Sequence, residues 1–191
     1  MKKDRRDFLK IMSSGAIAAS LIPLYASGEE GNPPAATEEL STEDRVAEAL
    51  SLMHEYGSCC SGVFAAYAPE LGMEKALAGR AGRGMAGGIG GLGNVCGAVS
   101  GAVLVIGLKT TSEDNTNDMQ AALDTKDTVK EFIARFEKQH SSIKCKELLG
   151  YDISTQEKIA VAMKENAFVN CPKFIESAVT ILDDILGNKK P

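Results

Sequence analysis

Five cysteines, Cys59, Cys60, Cys96, Cys145 and Cys171, are the residues of this sequence whose type and placement point most directly to chemistry. Four of them, Cys60, Cys96, Cys145 and Cys171, share a predicted position in the first turn of a helix that follows a polar, glycine-rich or proline-marked break. A helix N-terminus presents unpaired N–H groups and the positive end of the macrodipole. Both favour the thiolate, the form that ligates a metal or attacks a disulfide. Junctions on different helices can converge at one end of a bundle, so sulfurs remote in sequence can share one centre. Cys59 lies about 100° round the helix from Cys60. The face of Cys60 carries Val63, Phe64 and Tyr67, so Cys59 is expected to point away from the core.

Three chemistries suit four such thiols. They can ligate an iron–sulfur cluster, which commonly takes four cysteines. They can work as dithiol pairs in thiol–disulfide exchange, although no C-x-x-C is present. They can be structural, as two disulfides of an exported domain or a closed zinc site. The cysteines are too far apart in sequence to choose among these, because zinc sites usually use local ligand pairs. Gly82-Arg83-Gly84-Met85-Ala86-Gly87 matches G-x-G-x-x-G. A predicted helix precedes it and no acidic residue follows at the ribose position, so it reads as a packed connection and not a dinucleotide site. His54 and His140 read as surface residues, with His140 the one that could replace a cysteine as a metal ligand. Arg80 and Arg83 could offset the charge of an anionic cluster, although solvated arginines are the commoner outcome.

Helices must position these thiols. Ser41 with Asp44 forms a capping box ahead of a helix over 42–56, and Gly57 ends it. A second helix opens at Ser58-Cys59-Cys60 and closes at Pro69; a third runs from Glu74 to Met85. A glycine-studded approach (Gly79 to Gly93) leads to an apolar helix from Cys96 to about Gly107, expected to be the central one. At about 14 residues it is too short to span a bilayer. Gly93, Gly97 and Gly101 would form a smooth ridge for close approach of another helix, in the same chain or across the two-fold axis of a homodimer. Further helices are expected over Met119–His140, from about Cys145 to Gly150, over 154–169, and from Cys171-Pro172 onward. No alternating strand is found. The fold class is all-α: a single helical bundle of about six to eight helices.

The 191 residues carry a net charge of −5 and no tryptophan. An acidic body argues against nucleic acid as a partner. Residues 1–28 place Lys2, Lys3, Arg5, Arg6 and Lys10 before an apolar run, Ile11 to Leu24, and Arg5-Arg6 with Phe8-Leu9-Lys10 resembles a twin-arginine export signal. Residues 29–40 have the composition of a disordered linker, and 41–188 form the domain. The expected location is the periplasm or another extracytoplasmic space, with no stable membrane span once the signal is removed.

The cysteine segments Cys60-Ser61-Gly62-Val63-Phe64, Val95-Cys96-Gly97-Ala98-Val99-Ser100-Gly101, Cys145-Lys146-Glu147-Leu148-Leu149-Gly150 and Cys171-Pro172-Lys173 resemble the redox-active family named for the pattern C, GCAxxG, C, C. The likeness runs from Arg45 to Leu186. Val95 stands where the family has glycine, and Cys59 lies outside the four-cysteine pattern. The resemblance implies a helical redox module with Cys60, Cys96, Cys145 and Cys171 as the working groups, related to one found in split-Soret-type cytochromes. No C-x-x-C-H occurs, so covalent haem of the c type is not supported. The resulting expectation is an electron carrier that holds an iron–sulfur cluster and serves a redox partner protein. A thiol–disulfide oxidoreductase and a structural metal or disulfide module are the alternatives.

Overall fold

Local signals in the chain set where its helices start and stop. The computed structural model describes residues 40–112, 114 and 117–187. These residues contain eight α-helices: α1 Thr42–Tyr56, α2 Cys59–Tyr67, α3 Lys75–Gly82, α4 Gly97–Thr110, α5 Met119–His140, α6 Cys145–Leu149, α7 Gln156–Lys164 and α8 Cys171–Leu186. Among the described residues there is no strand, only an isolated antiparallel bridge between Val95 and Lys144. The all-α expectation holds. The proposed export signal, and the linker through residue 39, lie outside the described residues. No described helix is long and apolar enough to cross a membrane.

The Ser41 hydroxyl accepts the Asp44 N–H at 3.1 Å and starts α1, while Gly57 stops it in the left-handed region at φ 66°. Three boundaries differ from expectation. The third helix ends at Gly82 and tightens into a 3-10 turn over Arg83–Met85. The helix expected over 154–169 is α7 followed by Asn166 at φ 53° and a 3-10 turn, Ala167–Asn170. Asparagine tolerates that left-handed conformation better than most residues, and there it ends α7. The apolar helix α4 continues to Thr110, whose hydroxyl donates to the Ile106 carbonyl at 2.8 Å.

The innermost helix is α2 and not α4. Every residue from Cys60 to Tyr67 is buried, and α1, α3, α4 and α8 surround it. The glycine ridge explains how α4 reaches it. A Cβ at Gly97 would sit 2.9 Å from the Cys60 backbone nitrogen, and one at Gly101 would sit 2.8 Å from the Cys60 carbonyl oxygen. Neither space exists, so the ridge is a contact within the chain. Gly93 is not part of it, because it lies in the loop at φ 71°.

A charged network is buried within this core. Arg45, fully buried on α1, pairs with Glu70 at 2.5 Å and with Asp183 at 3.3 Å, and its guanidinium carbon lies 4.3 Å from the Tyr67 ring centre. Asp183 also accepts hydrogen bonds from Tyr67 and Thr42, both at 2.8 Å. Removing one member would leave an uncompensated buried charge, at a cost of about 3–5 kcal/mol. The network ties α1, α2 and α8 together.

The apolar side chains form two clusters. The large one spans α1, α2, α4, α5 and α8 and includes Val63, Tyr67, Val105, Phe132, Phe136 and Ile175. The small one is built on Cys145, Leu149, Ile153, Ala162 and Ala167, with Ile159, Phe168 and Cys171 packed against it. The cysteines divide between them.

Candidate functional site

The first wall of the site is the start of α2. The Ser58 hydroxyl accepts the Ser61 N–H at 3.3 Å and donates to the Gly82 carbonyl at 3.1 Å; the Ser61 hydroxyl donates to the Gly79 carbonyl at 2.7 Å. These bonds dock α3 on α2 and fix the helix rotation that orients Cys59 and Cys60. A second wall comes from the glycine loop, which is stitched to the segment leading into α6. The Cys96 N–H donates to the Ile143 carbonyl at 2.7 Å, the Cys145 N–H to Asn94 at 2.6 Å, and the Lys146 N–H to Gly93 at 3.1 Å. Gly93 must be glycine: besides its positive φ, a Cβ there would meet the Lys146 side chain at 2.8 Å. Cys96 and Cys145 are thereby held side by side. Cys171 completes the set where the turn Ala167–Asn170 runs into α8, with Pro172 in the first turn.

These junctions enclose a cavity of about 610 Å³ lined by Cys59, Cys96, Cys145 and Cys171. Met53, Leu148, Leu149, Ile159, Met163, Phe168 and Phe174 supply its apolar walls. No Asp, Glu, Lys or Arg lines it, and His54 is its one ionisable nitrogen group. Three of the four cysteines expected to converge, Cys96, Cys145 and Cys171, therefore do meet. Cys60 does not reach the cavity wall: it is fully buried in the core behind it, and Cys59 occupies the wall instead. The apolar face that Cys60 shares with Val63 and Tyr67 is real, and it turns the neighbouring thiol toward the cavity.

The thiols differ in acidity. Burial pushes Cys96 up to about 11, against the N–H groups of Ala98 and Val99, which favour its thiolate. Burial also raises Cys60 and Cys145 to about 12 each. The expectation that helix starts favour thiolate is thus overridden at these three positions, because desolvation in an apolar interior outweighs the helix dipole. Cys171 is the exception. A hydrogen bond from the Cys59 thiol lowers it, and the same bond, together with burial, raises Cys59. All five cysteines are free thiols.

Cysteine thiolates are the donors that iron–sulfur clusters take, and four cysteines line this cavity. In this arrangement they stand too far apart to share a single ion. Thiolates sharing one zinc stand about 2.3 Å from it, and among the described residues no three His, Cys, Asp or Glu side chains gather closely enough to hold a metal ion. His140 is no ligand candidate here: its ring nitrogen bonds Ser177 at 2.9 Å, and it packs against Phe136 and Phe174. His54, read from the sequence as a surface residue, is exposed but lines the cavity. The available signal is its place at the end of α1, five residues before Cys59. Gly82 ends a helix and Gly84 follows it, as expected for a packed connection, although Gly87 borders the cavity.

A protein-family model described as "Putative redox-active protein (C_GCAxxG_C_C)" matches residues 57–185, which include all five cysteines. Among curated proteins and solved structures, none matches.

Proposed function

The chain belongs to the C_GCAxxG_C_C family of redox-active proteins, and from that premise we propose that it is an exported electron carrier whose cavity thiols hold an iron–sulfur cluster. The observation that carries this is the meeting of Cys59, Cys96, Cys145 and Cys171 from four helix starts at one cavity without charged walls. Such a cluster supplies one-electron chemistry when bound. The chain's own part is to provide four sulfurs, to exclude water with Phe168, Phe174 and Leu149, and to direct the Ala98 and Val99 N–H groups at Cys96. Burial and neighbouring thiols hold the protons on Cys59, Cys96 and Cys145 in the metal-free protein, so loading releases protons and weakens as pH falls. Export rests on the twin-arginine-like segment Arg5-Arg6-Asp7-Phe8-Leu9-Lys10, a route suited to a protein loaded before it leaves the cytoplasm. A redox protein is the fitting partner. Anaerobic purification with visible absorption, iron and sulfide analysis is the test; a colourless, iron-free protein from iron-replete cells would sink the cluster.

One observation favours a second reading, thiol–disulfide exchange: Cys59 and Cys171, the two partly buried thiols, line the same cavity, and each shifts the other's acidity. In it Cys171 is the nucleophile and Cys59 the resolving thiol.

A further inference from the structure

We propose that, in the metal-free protein, Cys59 and Cys171 act as a dithiol that reduces a neutral, apolar two-electron acceptor of the quinone class, admitted through this cavity. The inference rests on the thiol-exchange reading above and not on the cluster, since the same two sulfurs cannot serve both at once. Three features of the site carry it.

The first is placement. Cys59 and Cys171 both line the cavity and both are only partly buried, whereas Cys60, Cys96 and Cys145 are buried. Each shifts the other's acidity, as neighbouring thiols do. The second is charge. A quarter of the chain is charged, 25% of residues, yet no carboxylate, ammonium or guanidinium lines the cavity. Anionic oxidants such as oxidised glutathione, nucleotides and flavin phosphates would enter unpaired, losing their hydration without compensation. The third is size and wall chemistry. The volume of about 610 Å³ is that of a site for an organic molecule. Phe168 and Phe174, with the thioethers of Met53 and Met163, offer surfaces suited to a flat ring.

The chemistry balances without any further reagent. The Cys59 and Cys171 S–H bonds break and one S–S bond forms. The two electrons and two protons released convert the two quinone carbonyls to the two hydroxyls of a hydroquinone.

The test uses full-length, metal-free, fully reduced protein under anaerobic conditions. It is mixed with a short-chain ubiquinone analogue whose ring is fully substituted, so that thiols cannot add to it, or with oxidised glutathione at equal concentration. Hydroquinone is followed by absorbance and the cysteine linkage by peptide mass spectrometry. The expected result is one hydroquinone per chain, a Cys59–Cys171 link, and a rate with quinone at least about tenfold above that with glutathione, the discrimination a desolvated charge imposes. Met163→Glu places a charge at an exposed wall position, 65% accessible, where folding tolerates it. It should slow the quinone about tenfold for the same reason. Linkage of any other pair, absence of hydroquinone, or equal rates for the two oxidants would overturn the proposal. None of these outcomes bears on whether the protein as isolated contains iron, so this proposal and the cluster fail separately.

Discussion

The two apolar clusters of this protein carry comparable shares of its chemistry on very unequal foundations. The large cluster holds Cys59 and Cys96 on helices locked by glycine contacts and by the buried Arg45 network. The small cluster holds Cys145 and borders Cys171, and its buried set is only Cys145, Leu149, Ile153, Ala162 and Ala167. Its outer face leaves Val161 53% and Met163 65% exposed. The difference teaches that the site is a seam. One wall is rigid, the other has too little core to stay closed unaided, and bonds between thiols across the seam would hold them together.

The contrast can be broken most severely from the rigid side. Arg45→Ala strands Glu70 and Asp183 in the interior and should cost about 3–5 kcal/mol in urea unfolding; a loss within experimental error would remove the network as a foundation. Gly101→Leu drives a side chain into the α2 backbone and should cost about 1–3 kcal/mol. It should also disturb the cavity, because α2 carries Cys59. Unchanged stability would show that the glycine ridge is incidental.

The outer wall sharpens the comparison. In metal-free protein, Leu149→Ala should speed hydrogen exchange over 145–165 on the order of tenfold or more, leaving α2 and α4 protected. Equal loss of protection in both clusters would mean that the molecule opens as one unit. The remaining prediction concerns pH. The native metal-free protein keeps its thiols protonated to about 11 at Cys96 and about 12 at Cys60 and Cys145, against 9.0 for an ordinary thiol. The unfolded chain therefore loses these protons first as pH rises. Stability contributed by the buried neutral thiols is complete below about pH 9 and declines between about 9 and 12. A urea midpoint that stays flat or rises over that interval would contradict it.

Much of this was legible in the sequence, for identifiable reasons. Met119–His140 appears as expected because its apolar spacing is long and regular, and α1 and α8 have clear caps and stripes. Convergence of Cys96, Cys145 and Cys171 followed from their helix-start positions. The choice between Cys59 and Cys60 did not, because adjacent residues on a helix differ only by rotation, and Ser58 and Ser61 bonding to α3 fixes that rotation through tertiary contacts. In the sequence, nothing local sets Arg45 apart from the other polar residues of Thr42–Tyr56. Its partners, Glu70 and Asp183, lie far along the chain, and local pattern carries no trace of them.

The central claim is that the cavity sulfurs, with Cys59 among them, form the redox centre. Iron and sulfide content with visible absorption, measured anaerobically on Cys59→Ser beside Cys60→Ser, tests it most directly. A cluster in the wild type that is lost with Cys59→Ser and kept with Cys60→Ser is the predicted result. A cluster kept with Cys59→Ser and lost with a well-folded Cys60→Ser would contradict the account.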